Sequence, residues 1–582
     1  MHQSHANALQ RIRVASSQDG DLSGIADWIV QNTADPKDER EQFSYKDHEY
    51  QIDIANETAP NVSVIKPSQV GASELQVRVM LAMASIIRNC TVIYTLPTAA
   101  FARTFAKGRV DPVIKNSVAL SEARNKDVDS STMKQLGGSF LYFGGTFGQS
   151  AAISIPAQVL INDEVDFSNA MVMSTYMSRL GHNKNGGYRR AFSTPTVQGY
   201  GISALHDESS QAEYFVKCDH CSTWVAPSFF EHMVVPGWDA TLHTMRKDDL
   251  KNPNVRWRDA YLRCPHCGKV LSIANLGDPS KRQWVHKYQE RPDKGYQVKP
   301  YDVVAYNPPW KTLSYMKDYD RHADWVNFKV GLPFEDAENS FLLERIQQSA
   351  ILAPVAPLEG AASGCVMGVD VGNISHVTVA KSVGGKLKVI YREKIRQNDQ
   401  NFLLTRVKEL KKIFGVKKAC IDIGPDITVP KQWIAQSPTG HVWAAQYVRQ
   451  ISGSLSIFDA DNEEEQIVSA NRTALIDEVC KAFNSGLIET PNDEHQKLAE
   501  EHLRAMKRII RVNNAGESFA SWVNTGEDHF AHSLFYCYLA SLMAGENKTS
   551  GLSVILPSCH RVAIGSRVEK SAPGRTLSGY RR

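Results

Sequence analysis

The sequence predicts an α/β protein with two separate sheets and a cysteine-bearing unit between them. Three observations carry this. From about residue 60 to 205, the runs NVSVIKP, CTVIYTLP, GSFLYFGG, AQVLINDEVDF and RRAFSTPT alternate with helix-length segments, the pattern of a parallel sheet covered by helices. A second α/β pattern begins at CVMGVDVGNISHVTVAKSVGGKLKVIYREKI. Between them, residues 210–290 contain Cys, His and Trp with short strands only. A chain of 582 residues holds two to four domains at about 150 residues each. Hydrophobic content of 42% and charged content of 22% are those of a globular protein with sizeable cores, and a net charge of +3 selects no partner.

Residues 1–40 are a polar segment without an apolar signal core, and no apolar run approaches the roughly 18 residues that span a membrane. An intracellular protein is expected. Ten cysteines then point to metal binding or burial, not to a disulfide framework.

Residues 62–81, VSVIKPSQVGASELQVRVML, read as strand, tight loop and helix. A phosphate loop has the pattern G-x-x-x-x-G-K-[ST]; its backbone N–H groups and helix N-terminus hold phosphate, with one cation and one hydroxyl beside them. Laid over residues 66–73, Gly71 and Ser73 fit, Ala72 replaces the usual lysine, and Lys66 takes the first glycine's place. Lys66 can supply the cation from the opposite lip of the loop, leaving Ser73 for Mg²⁺. An ordinary strand-loop-helix is the plainer alternative. The strand AQVLIND runs into Asp163 and then Glu164, which suit Mg²⁺ and the attacking water in that order. A strand ending in solvated acids is the alternative here. The strand end AFSTPT places Ser193, Thr194 and Thr196 where a γ-phosphate sensor sits.

Cys218, Cys221, Cys264 and Cys267 form two CxxC pairs 42 residues apart. Four thiolates close a tetrahedral zinc site with no open position, so the expected role is structural. Four reduced, buried cysteines are the alternative. His220 and His266 lie inside the knuckles and are expected at the surface. Residues 300–345 are aromatic and marked by proline, and Trp310 and Trp325 read as packing residues.

In the second pattern, Gly384-Gly385 between apolar alternations predicts a hairpin. Asp370 lies within one apolar strand and Asp422 ends another, KKACIDIG; a buried acid must be paired or bind metal. Asp528 opens a helix in NTGEDHFAHSLFYCYLASL. Two strand acids and one helix acid suit a two-metal nuclease, with Glu527, His529, Asp426 and Glu393 as second choices. Asp528 as a plain N-cap acid, and GVDVG as the actin-type phosphate hairpin, are the alternatives.

Together KPSQVGAS, VLINDE and STPT resemble the motifs of the large terminase subunit of tailed bacteriophages, in its lambda-type (gpA-like) branch. The resemblance extends over most of residues 40–545. It implies a P-loop ATPase domain of RecA/ASCE-like fold (41–210), a zinc-ribbon-like insertion (211–290), a connecting segment (291–360), a ribonuclease H-like nuclease domain (361–548) and a basic tail (549–582). It implies ATP with Mg²⁺, Mg²⁺ or Mn²⁺ at the nuclease, and Zn²⁺. Lys66, Gln69, Gly71, Ala72, Ser73, Asp163 and Thr194 would bind ATP. EQFSYKDHEY is similar to the adenine-contacting segment, with Tyr45 the choice and Tyr50 the alternative. Glu164, Asp370, Asp422 and Asp528 would be catalytic. The γ-phosphate arginine would be one of Arg103, Arg109, Arg179, Arg189 and Arg190. Implied partners are double-stranded DNA, the procapsid portal, reached by the basic tail, and a small terminase subunit. A homo-oligomeric ring in the host cytoplasm, with no membrane, is implied too. Against this stand a helicase-nuclease or integrase-like enzyme, which should carry a second motor domain that the chain lacks after residue 290, and a zinc-ribbon DNA-binding scaffold with dead sites.

Overall fold

A computed structural model describes residues 21–545 apart from 36–37, 39, 148–154, 184–186, 359, 361, 397–399, 450–456, 463 and 514–516. All five strands expected between residues 60 and 205 form: Asn61–Ile65, Thr91–Leu96, Ser139–Gly145, Val159–Asp163 and Tyr188–Ser193. They run parallel, and Tyr188–Ser193 inserts between the loop strand Asn61–Ile65 and the acid strand Val159–Asp163. Every residue of Val159–Asp163 is buried, which is why the strand reads as a continuous apolar run and not as an alternation.

The sheet reaches further along the chain than residue 210. Ala212–Lys217, Arg282–His286 and Lys294–Gln297 extend it, and Lys294–Gln297 lies parallel beside the loop strand. The cysteine-bearing unit is thus threaded between two strands of the first sheet. Composition marks where this unit begins, but not that the chain returns to the sheet afterwards. Its excursion builds a core of its own from Phe229, Phe230, Met233, Trp257 and Leu262, and Trp325 of the connecting segment closes it. Trp310 lies at the surface.

Among the described residues the second sheet has nine strands. Cys365–Asp370, Ile374–Val383 and Lys386–Arg396 form an antiparallel meander. Gly384 and Gly385 make its hairpin with φ of 60° and 77°, the left-handed pair that a two-residue turn requires. Val416–Asp422 and Val442–Val448 continue in parallel from Cys365–Asp370. Asp370 and Asp422 therefore end neighbouring strands. The helix His529–Met543 packs across these strands. A cluster of Leu475, Val479, Phe483, Trp522, Phe535 and Leu539 forms the core on that face. A ribbon, Met506–Val512 with Ser518–Asn524, projects toward the first domain. No helix among the described residues is long and apolar enough to cross a membrane. The N-terminal segment 1–20 and the basic tail lie outside the described residues.

Candidate functional site

The loop after Asn61–Ile65 is fixed by backbone that few residues adopt. Gln69 and Gly71 have φ of 63° and 86°, and Gly71 is the N-cap of the helix Ala72–Ile86. A Cβ on Gly71 would lie 2.8 Å from Gln51 Nε2 and 3.1 Å from His48 Cδ2, so glycine is required twice over. The Tyr50 hydroxyl donates to the Val70 carbonyl at 2.8 Å. The Ser68 N–H donates to the Phe328 carbonyl at 2.7 Å, and Lys329 Nζ donates to Gln69 Oε1 at 3.2 Å. The connecting segment therefore holds the loop from outside.

Lys66 is buried and its Nζ lies 2.9 Å from Glu164 Oε1. Burial opposes its charge, but Glu164, Asp163 and Asp166 outweigh burial and hold its pKa above the usual lysine value. Burial raises the pKa of Asp163, and the Lys66 charge opposes the rise. Tyr94 donates to Asp163 Oδ2 at 2.7 Å, and the nearby Ser73 hydroxyl also lowers this carboxyl's pKa. A hydroxyl at the helix start and a carboxylate from the neighbouring motif share one point, as a bridging Mg²⁺ requires. Glu164 sits in left-handed backbone, φ 57° and ψ 55°, pinned by its N–H to the Phe192 carbonyl at 2.8 Å. Thr194 is buried and its hydroxyl has no partner among the described residues.

Nothing in the sequence singles out Asp166. It is fully buried and ties the acid strand to STPT: its Oδ2 accepts from the Thr196 N–H at 2.8 Å and the Thr196 hydroxyl at 2.7 Å, and its Oδ1 from the Ile202 N–H at 2.7 Å. Burial pushes its pKa up to about 7 against these three donors. The Thr196 carbonyl in turn accepts from Asn327 Nδ2 at 2.7 Å and from the Phe334 N–H at 3.1 Å.

In the second domain, Asp370 Oδ2 lies 2.9 Å from His529 Nδ1. Asp422 is raised by burial, against a hydrogen bond from the Gly424 N–H at 3.2 Å, and the Asp370 charge adds to the rise. Asp528 takes the N-cap position but makes no side-chain cap; its Oδ2 lies 3.2 Å from His532 Nε2. Its side chain thus turns to His532 and not to the helix N–H groups. His532 Nδ1 is 2.9 Å from the Tyr447 hydroxyl. The second choices divide: Glu393 is engaged by Arg406 at 3.0 Å, Asp426 caps its own turn through Thr428 at 2.9 Å, Glu527 is exposed, and His529 reaches the acids.

The two cysteine knuckles have the same geometry. Cys218 N–H donates to Thr223 O at 3.0 Å and Ser222 N–H to Cys218 O at 2.9 Å; Cys264 N–H donates to Lys269 O at 2.7 Å and Gly268 N–H to Cys264 O at 2.9 Å. Ser222 and Gly268 take the left-handed turn position. The four sulfurs converge, with Cys218–Cys267 at 3.8 Å and Cys221–Cys264 at 3.9 Å. Four sulfurs about 2.3 Å from a tetrahedral zinc would be about 3.8 Å apart, so the set fits zinc. His220 and His266 are exposed.

Residues 46–278 match the family model described as phage terminase large subunit gpA, ATPase domain. Over that segment the chain carries a phage terminase large-subunit ATPase domain. No curated protein matches it. Among solved structures, the chain is similar to the large terminase of bacteriophage HK97, with 9% identity, TM-score 0.47, and 88% of this chain and 98% of that one covered. It is also similar to the large terminase of a thermophilic bacteriophage, with 9% identity, TM-score 0.30, and 84% and 94% covered. A third match is the large terminase nuclease of the thermophilic phage G20c with bound magnesium, at 18% identity, TM-score 0.25, and 35% and 98% covered.

Within the terminase ATPase domain, the Tyr45 ring is buried against Phe43, with ring centroids 4.9 Å apart, whereas Tyr50, Gln51 and His48 reach the loop. Of the five arginines, Arg190 donates to the Glu57 and Ile54 carbonyls and Arg189 to Asn162, so both are engaged inside the domain. Arg179 donates to the hydroxyl of its neighbour Ser178 at 2.9 Å. Arg103 and Arg109 are exposed beyond Thr91–Leu96.

Proposed function

We propose that this terminase chain is a DNA-packaging motor that hydrolyses ATP at the Lys66 loop to drive double-stranded DNA, and a nuclease that cuts that DNA at Asp370, Asp422 and Asp528. The first domain is read as RecA/ASCE-like because one strand separates the loop strand from the acid strand. The second is read as ribonuclease H-like from its antiparallel meander continued by parallel strands. The observation that carries the reading is the Lys66–Glu164 pair beside Asp163. A loop cation and two strand-end acids, 97 positions and more away in sequence, meet in one site.

Lys66, Gln69, Gly71, Ala72 and Ser73 would hold the phosphates, with Ser73 and Asp163 on Mg²⁺. Bound Mg²⁺ supplies neutralisation of the phosphate oxygens. Lys66 holds Glu164 by its carboxylate; a phosphate that takes over Lys66 leaves Glu164 free to orient water. Thr194 and Thr196 report loss of the γ-phosphate through Asp166 and the connecting segment. The cysteine set holds structural zinc. The portal, small-subunit and ring contacts follow from the terminase reading, with the basic tail on the portal.

The test is DNA-stimulated ATP hydrolysis by wild type, Lys66→Ala and Glu164→Gln. Loss in both variants is expected. Activity that survives Lys66→Ala refutes the front-of-loop cation, and a folded, zinc-loaded wild type that hydrolyses nothing refutes the motor. Asp422→Asn should abolish DNA cutting while hydrolysis persists.

A further inference from the structure

We infer that Asp370, His376 and His529 form a first-row transition-metal site, two imidazoles and one carboxylate on one ion, so that this metal is held partly by nitrogen. The function of the site rests on the nuclease reading; its ligand set does not.

Three elements converge to make it. Asp370 and His376 are directly opposite in the antiparallel pair Cys365–Asp370 with Ile374–Val383, which puts both side chains on one face of the sheet. His529 is the first residue of the helix that crosses that face. One ligand atom from each of the three lies within 4.8 Å of the others. Two ligands about 2.1 Å from one ion sit about 3 Å apart when adjacent and about 4.2 Å when opposite. The Asp370–His529 separation of 2.9 Å is already the adjacent spacing, and His376 completes the set within 4.8 Å of both.

His376 supplies an independent sign. Its side chain is 3% exposed, and its Nδ1 has no hydrogen-bond partner among the described residues. Buried polar atoms are normally paired, so one left open beside a carboxylate and a second imidazole points to a ligand. Its ring stacks parallel to that of His529, 5.0 Å between centroids at 10°. Behind them, His502 Nδ1 accepts the Phe530 N–H at 2.9 Å, which fixes the start of the helix and hence His529. The donor set decides the ion. Mg²⁺ takes oxygen ligands and keeps its waters, whereas imidazoles with one carboxylate favour a first-row transition ion with positions left open.

The probe is Mn²⁺ added to the zinc-loaded full chain, followed by paramagnetic resonance. Wild type should show ¹⁴N coupling from imidazole to bound Mn²⁺. His376→Ala and the milder His376→Gln should weaken Mn²⁺ binding about tenfold or more with reduced coupling, and His529→Ala should do the same, while circular dichroism stays unchanged. Mn²⁺ bound through oxygen alone, or with unchanged affinity in both His376 variants, overturns the site. A plasmid-cutting assay of the same samples separates the two readings. Nitrogen-bound Mn²⁺ without any cutting in Mn²⁺ or Mg²⁺ upholds the site and refutes the nuclease; cutting with oxygen-only Mn²⁺ does the reverse.

Discussion

Replacing Asp166 by alanine removes one carboxylate and strands two backbone donors. Thr196 N–H and Ile202 N–H both end on it, at 2.8 and 2.7 Å, and the carboxylate is fully buried. A buried donor left unpaired costs about 1–3 kcal/mol, so the two together cost about 2–6 kcal/mol. Gly201 lies so near that a Cβ there would fall 2.3 Å from Asp166 Oδ1, so the truncation empties the space directly beside this backbone. The chain has more than one domain, so a single global unfolding free energy is a poor readout. Amide hydrogen exchange at Thr196 and Ile202 is local. The expected loss of protection is about 30-fold to 10⁴-fold, at about 1.4 kcal/mol per tenfold. Asp166→Asn keeps an acceptor for Ile202 but turns an N–H toward the Thr196 donor, so it should deprotect Thr196 more than Ile202. If both amides exchange at the wild-type rate in Asp166→Ala, the carboxylate does not hold STPT to the acid strand and the relay assigned to it fails.

Chelating zinc, or Cys264→Ser, should expose residues 218–267 to protease while the loop site still binds nucleotide, checked by limited proteolysis and mass spectrometry. Glu335→Ala should destabilise the contact between domains by about 2–4 kcal/mol, because it leaves the buried Lys507, now paired at 2.7 Å, without its partner; exchange at Arg508 N–H, bonded to the Asn339 carbonyl at 2.8 Å, reads this. Burial depresses His206 from 6.5 to about 4. Between those values the unfolded chain binds the extra proton, so stability rises with pH across this window, by about 3 kcal/mol at most. Asp166 has the opposite sign: raised to about 7, it lets the folded state bind the proton, so stability falls as pH rises from about 4 to 7. Urea midpoints for the first transition at pH 4.5 and 6.5 should therefore shift in opposite directions in His206→Gln and Asp166→Asn relative to wild type.

What was legible in the sequence shares one property: the signal is local. Lys66, Gly71 and Ser73 lie within eight positions, Asp163 and Glu164 end one apolar run, and Gly384-Gly385 sits between two alternations. Each CxxC pair is likewise self-contained. What escaped depends on pairing between distant segments. Lys294–Gln297 joins the loop strand only because the chain returns after the cysteine excursion, and nothing in KGYQ announces that. His376 reads as one polar residue in a strand until the register sets it opposite Asp370. Asp166 looks like a third acid after Asp163 and Glu164; its role appears only when Thr196 and Ile202 are brought against it. The burial of Tyr45 against Phe43, whose own ring Arg78 covers, was equally unreadable, since an aromatic in a polar run suits a base-stacking role or a core role alike.

These non-local contacts form one continuous path. From the loop, Ser68 and Gln69 touch Phe328 and Lys329; Asn327 and Phe334 hold the Thr196 carbonyl, and Asp166 holds its N–H and hydroxyl. Val197, Ile509 and Val523 share a small core just beyond, with Tyr200 packed on it, and Lys507 of the same ribbon pairs with Glu335. The ribbon's second strand, Ser518–Asn524, leads within four residues to Asp528. The segment Val326–Val330 at the middle of this path is a π-turn, closed by Gly331 N–H to the Val326 carbonyl at 2.9 Å, an irregularity that recurs at functional positions. A path of contacts is not coupling by itself. Coupling needs an element with two states, and on the proposed reading the Lys66–Glu164 pair would be one: with phosphate bound the lysine would have a second partner, and the turn after the acid strand, which carries Asp166, would lose that tether. Nucleotide state at the loop and metal state at Asp370 should then influence each other through the ribbon, and by linkage the effect must be reciprocal. Mn²⁺ affinity at the second site, measured with and without a non-hydrolysable ATP analogue, should change by the same factor as the affinity for the analogue measured with and without Mn²⁺ at that site. Equal affinities under both conditions would leave the path as packing alone.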